Sequence, residues 1–157
     1  MKRFWLMFAM VANLVLADQV VKEVALRRFV DHPLTVIDGF FDLVLVRNRG
    51  CAWGMLQGQV WPLAVFGLAA LAFLVWKRRA FFGDAWVLPA LLYAGIIGNL
   101  VDRLFRGAVI DMFDCHWGAW HFPCFNVADS CITVAAVWLV VAAGFGKDDH
   151  AVKAETA

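Results

Sequence analysis

Apolar residues gather in four long runs along the chain, and short polar and aromatic clusters fall between them. The runs predict helices over residues 4–26, 60–76, 85–104 and 127–145, followed by a polar tail over 146–157. Their lengths fit the roughly 17–25 residues that a helix needs to cross a bilayer. Pro62 falls in the first turn of the second run, where its missing N–H does no harm. Pro89 lies inside the third, so that helix either starts there or kinks. One stretch has a different period. Residues 34–37 and 40–46 are β-prone runs on either side of Asp38-Gly39, a hairpin signal. Residues 54–61 read as a short interfacial segment leading into the second span. The pattern predicts a mainly α integral membrane protein, a single domain over residues 1–157. Four transmembrane helices carry a small extracytoplasmic β-element, and the tail is disordered.

Composition moves the reading further from a soluble protein. Hydrophobic residues make up 63% of the 157 residues and charged ones 17%, against roughly 45–50% and about 25% in soluble domains. Mean hydropathy is +0.72. Eight Trp and fourteen Phe against one Tyr suit aromatic belts and lipid-facing surface. A net charge of +1 offers no basic footprint for nucleic acid. The first run also has the form of a secretory leader, with Lys2-Arg3 ahead of it and Val15-Leu16-Ala17 before Asp18; it is taken as a retained span. An even number of spans puts both termini on one side, and Lys plus Arg then tie at seven on each side. The positive-inside rule weighs short loops most, which sends Lys77-Arg78-Arg79 and the termini to the cytoplasm.

Candidate chemistry centres on Asp111, in Gly-Ala-Val-Ile-Asp-Met-Phe, and Asp129, in Phe-Asn-Val-Ala-Asp-Ser. They sit at the two ends of one polar and aromatic loop between the last two spans. Ionisable groups at membrane depth are costly and usually paired. Two carboxylates that share one proton supply a base and an acid at once, which is what peptide hydrolysis needs. The other polar clusters each have a plainer explanation as well. Asp18 and Lys22, four apart, can form an ion pair at the membrane border. Asn48-Arg49-Gly50-Cys51-Ala52-Trp53-Gly54 is a tightly turning loop. Asn99, Asp102 and Arg103 lie on adjoining helix faces, where Asp102 can also pair with Arg106. Asn126 and Asp129 have the spacing of a reciprocal helix cap.

Taken in order, these clusters resemble the bacterial lipoprotein signal peptidase (signal peptidase II) family. The resemblance runs from Asp18 to about Thr133. It is carried by Asp18-x-x-x-Lys22, Asn48-x-Gly50-x-Ala52-Trp53-Gly54, Gly98-Asn99-x-x-Asp102-Arg103, Val109-Ile110-Asp111-Met112 and Phe125-Asn126-x-Ala128-Asp129-Ser130. It implies an intramembrane aspartyl endopeptidase of four helices and a β-cradle, in the bacterial inner membrane with cytoplasmic termini. The implied catalytic pair is Asp111 and Asp129. Asn48, Asn99, Arg103 and Asn126 support it, and Asp18, Lys22, Gly54 and Asp102 are further motif positions. The implied substrate is a prolipoprotein carrying a diacylglyceryl-cysteine, cut just before that cysteine without metal or cofactor. Membrane lipid is the other partner, and the chain is expected to act as a monomer. Cys51 stands where the family usually has a small residue such as Ala, and Met112 where Phe is common.

The alternative from a different class is a four-span thiol oxidoreductase using Cys115 and Cys124, which the reading puts outside, where disulfides form. Against it, the chain has no Cys-x-x-Cys pair. Whether Cys115 and Cys124 pair is left open. A proton-coupled transporter relaying through Asp102, Asp111 and Asp129 lacks the repeat halves that alternating access uses.

Overall fold

The computed structural model describes residues 1–30 and 32–145; the polar tail expected at 146–157 lies outside the described residues. Helix α1 (Lys2–Arg28) leads into a hairpin of β1 (Leu34–Ile37) and β2 (Phe41–Asn48). A single 3-10 turn (Ala52–Gly54) precedes α2 (Val60–Trp76), the short α3 (Arg78–Phe82) and α4 (Val87–Phe105). Strands β3 (Val109–Trp117) and β4 (Trp120–His121) follow, and α5 (Val127–Phe145) closes the order. Helices α1 and α4 are long and apolar enough to cross a membrane, while α2 and residues 127–142 of α5 are shorter apolar helices.

Helix α4 is the centre of the bundle, packing against α1, α2 and α5. Small residues make this possible. Ala90, Ala94, Gly95 and Gly98 are buried on α4, and small side chains let helix backbones approach closely. At Gly98 the approach is tight: a Cβ there would lie 2.7 Å from Asp18 Oδ2 and 3.0 Å from the Ala128 Cβ. The long side chains mostly point outward. Phe4, Trp5, Phe8 and Leu16 of α1 are exposed, whereas Asp18, Lys22 and Ala25 are its buried residues. Trp61, Val65, Phe66 and Leu68 of α2 are exposed as well. Pro89 falls in the first turn of α4, so the helix starts there and has no kink to make.

The hairpin forms around Asp38-Gly39 as its sequence predicts. Phe40 N–H donates to the Ile37 carbonyl at 3.0 Å, and Gly39 takes the left-handed φ of +71° that its missing Cβ permits. The four-stranded antiparallel sheet has the order β1-β2-β3-β4. Strand β3 corrects the expectation of an irregular loop after the third span. Val109, Ile110, Asp111 and Met112 are all buried, so the alternation that marks a half-exposed strand is missing. Its register pairs Val46 with Asp111 and Asp42 with Asp114. Both Met112 N–H and Phe113 N–H donate to the Phe125 carbonyl, at 3.1 and 2.9 Å. Phe113 and Phe125 form an isolated bridge, and the β2–β3 register shifts between Leu43 and Val46, an irregularity of the kind that re-aims nearby side chains. Ala25, Ile110 and Met112 form a small core that seats α1 on the sheet.

Candidate active site

Asp111 arrives on β3 and Asp129 in the first turn of α5, and both line one cavity of about 280 Å³. Asparagines hold them. Asp111 Oδ2 accepts from Asn48 Nδ2 at 3.1 Å, and its Oδ1 accepts from Asn126 Nδ2 at 2.7 Å. Asp129 Oδ1 accepts from Asn99 Nδ2 at 2.7 Å. Asn126 is the link between the two carboxylates. Its Nδ2 also donates to Asn99 Oδ1 at 3.1 Å, and its Oδ1 accepts the Asp129 N–H at 2.9 Å. The Asn126 N–H in turn reaches Asp129 Oδ2 at 3.3 Å. Asn126 and Asp129 therefore form the reciprocal cap that their spacing suggests, while the other Asp129 oxygen is engaged by Asn99.

The electrostatics follow from this setting. Among the described residues, neither Asp111 nor Asp129 has an ion-pair partner within 4 Å. Arg103 is, among the described residues, the one cation on the cavity wall. Its Nη2 donates to the Gly50 carbonyl at 3.1 Å and its Nη1 to the Asn99 carbonyl at 3.4 Å, which ties the loop after β2 to α4. Burial first, and the charge of Asp129 second, push the Asp111 carboxyl up to about 6; the amides of Asn48 and Asn126 pull the other way. A carboxyl in that range can take up and release a proton near neutral pH.

The remaining motif residues are set deeper or further out. Lys22 is fully buried, with Nζ at 2.8 Å from both Asp18 Oδ2 and Asp102 Oδ2. Asp18 Oδ1 accepts the Ala128 N–H at 2.9 Å, and Asp102 Oδ2 accepts the Ile110 N–H at 3.0 Å. Asp102 also pairs with Arg106, as its spacing allows. This cluster fastens α1, α4, α5 and β3 together behind the cavity, and neither Asp18 nor Asp102 lines the cavity. It meets the side chains that hold Asp111 and Asp129 through Lys22 Nζ, which donates to Asn99 Oδ1 at 3.2 Å. Gly54 lies on the outer rim, in a cleft shared with Asp111. Gln19 was not anticipated. Its amide bonds Asp18, Asp102 and the Gly98 carbonyl at 3.1–3.3 Å. Its place next to Asp18 was the only signal of that role.

The fold and the cavity define a class: a mainly helical membrane enzyme with a small antiparallel sheet. A family model described as signal peptidase (SPase) II matches residues 10–145, so the chain belongs to the signal peptidase II family. A lipoprotein signal peptidase of Burkholderia cenocepacia (strain HI2424) is 42% identical over 143 residues, covering 87% of this chain and 84% of that protein. One from Janthinobacterium sp. (strain Marseille) is 39% identical over 87% of this chain and 85% of its own length. A solved structure described as a bacterial membrane enzyme superposes with a TM-score of 0.80 at 28% identity, over 92% of this chain and 90% of that one. The thiol oxidoreductase reading finds no support beside these. All four cysteines are free thiols, and burial holds the Cys124 thiol up at about 11, which disfavours the nucleophilic thiolate.

Proposed function

We propose that this chain is an intramembrane aspartyl endopeptidase, with Asp111 and Asp129 as its catalytic pair. As a signal peptidase II it removes signal peptides from prolipoproteins. The cut falls just before the diacylglyceryl-modified cysteine. The observation that carries the assignment of the pair is the cavity itself. Two carboxylates without contact cations line it together, and Asn126 couples one to the other. A pair of this kind titrates as a unit and holds one proton between its members. The ionised member takes a proton from water as its oxygen attacks the scissile carbonyl carbon. The protonated member gives its proton to the departing amide nitrogen as the C–N bond breaks. Asn48, Asn99 and Asn126 hold the carboxylates in position, and Arg103 supports the wall that faces the substrate carbonyl.

The chain is a single membrane domain over residues 1–157, and its four long helices all span the bilayer, α2 and α5 as short spans. The exposed Phe, Trp, Val and Leu side chains of α1 and α2 suit lipid, since soluble monomers rarely carry so much contiguous apolar surface. The termini and Lys77-Arg78-Arg79 face the cytoplasm, and the sheet with the cavity faces the opposite side. Alkaline phosphatase fused at Arg79 should be inactive and at His116 active; the reverse pattern rejects this topology. The chemistry is tested on detergent-purified protein with a lipidated precursor peptide. Asp111→Asn and Asp129→Asn should each cut turnover by at least about 10³-fold, within the range that acid–base groups contribute, while the protein stays folded. A stable Asp129→Asn variant with near-parental cleavage would leave Asp129 as a helix cap and nothing more.

A further inference from the structure

The cavity between Asp111 and Asp129 does not end at the pair. It continues into an outer cleft of about 430 Å³ that shares Asn48, Trp53, Asp111 and Phe122 with it. The two ends differ in chemistry. The inner end adds Ile132 and Thr133 of α5, and the outer end adds Arg47, Gln57, Asp114 and His121. A substrate whose signal segment is apolar and whose mature segment is hydrophilic has one sensible orientation across such a cleft. Its signal side lies toward α5, and its mature side leaves past Asp114.

Asp114 is the unusual group there. Its side chain is 11% exposed, and both its oxygens lie 2.9–3.0 Å from His121 Nδ1. It faces Asp42 directly across the β2–β3 register, and like charges directly opposite one another are destabilising. Each aspartate has its own imidazole: His116 Nε2 is 3.3 Å from Asp42 Oδ2, and His116 stacks on His121 with centroids 4.9 Å apart. Arg47, on β2 level with Ile110, supplies the opposite sign, but it is exposed. Exposed charges are screened by water and salt more than buried ones, so the carboxylate sets the sign felt by a side chain lodged here.

We infer that Asp114, held by His121, reads the charge of the first residue after the lipid-bearing cysteine and favours neutral or basic side chains over acidic ones. The inference rests on the peptidase reading above. It is tested with lipidated precursor peptides that differ only at that residue (Ser, Lys or Asp), comparing kcat/KM ratios within each variant so that the active fraction cancels. The parent should prefer Lys over Asp by about tenfold, the effect of a like-charge contact of about 1.4 kcal/mol in a half-solvated site. Asp114→Asn should narrow the ratio, mainly through KM. His121→Ala, at an exposed side chain, should widen it by removing the imidazole that contacts both carboxylate oxygens and opening Asp114 to the substrate. Ratios unchanged from the parent's in either variant overturn the inference. Retention of cleavage by Asp111→Asn would instead reject the catalytic pair on which it stands.

Discussion

Asp18 and Asp102 meet Lys22 and Arg106, whereas Asp111 and Asp129 meet the amides of Asn48, Asn99 and Asn126. Each region gathers two carboxylates, all of them buried except the half-buried Asp129, and Asn99 touches both. In the first, the cations match the anions, and Asp18 Oδ1 and Asp102 Oδ2 also accept backbone N–H groups of α5 and β3. In the second, neutral donors fix the geometry without cancelling charge, and one oxygen face is left to a cavity. The same residue type is a fastener in one setting and, in the function proposed above, a proton-handling group in the other. The neighbours' charge decides which.

The sharpest way to break this comparison is to remove the shared cation of the fastener. Lys22→Met leaves Asp18 and Asp102 facing each other while buried, and should cost about 3–5 kcal/mol, as loss of one partner of a buried pair does. Melting in detergent should fall accordingly. Adding Asp18→Asn and Asp102→Asn should recover much of the loss, since no buried charge then remains unpaired. A Lys22→Met protein as stable as the parent would mean the cluster is not what binds α1 to α4.

A second measurement sharpens the contrast through pH. Asp111 sits at about 6 in the fold against 3.8 when free, so the folded state holds the proton longer than the unfolded one. The stability associated with it is present below about pH 4 and lost as pH rises through about 6, by up to about 3 kcal/mol. Asp111→Asn lacks this loss. Its melting temperature relative to the parent should rise between pH 4.5 and pH 8, whatever fixed cost its altered hydrogen bonds with Asn48 and Asn126 impose. A pH-independent difference would show that Asp111 is not held above its free value.

The smallest effect probes the close packing behind the fastener. Gly98→Ala sets a methyl against Asp18 Oδ2 at 2.7 Å, an oxygen that Lys22 and Gln19 already hold in place. An overpacking cost of about 1–3 kcal/mol follows. Gly67→Ala on α2 meets no heavy atom within 4 Å and should be neutral, or stabilising by roughly 0.5–1 kcal/mol through helix propensity. Equal melting temperatures for the two variants would remove the steric argument.

The sequence alone determined the features that depend on neighbours along the chain. Four apolar runs became four long helices, since apolar length and backbone hydrogen bonding are local properties. Asp38-Gly39 turned the hairpin, because its left-handed step needs a residue without a Cβ. The Asn126–Asp129 cap and the Asp18–Lys22 and Asp102–Arg106 pairs were all present in their i, i+3 and i, i+4 spacings. Tertiary structure decided what no spacing contains. Strand β3 is invisible to alternation because both its faces are covered, and its pairing partner β2 lies far back in the chain. Which of the four aspartates would receive cations was also decided there. Lys22 reaches Asp102 and Asn99 across 80 and 77 residues, and only the packing of α1 against α4 brings them within hydrogen-bonding distance. Helices and turns follow from local energies. The assignment of charge to each carboxylate follows from long-range packing, because Coulomb and hydrogen-bond energies depend on distance in space and not on position in the chain.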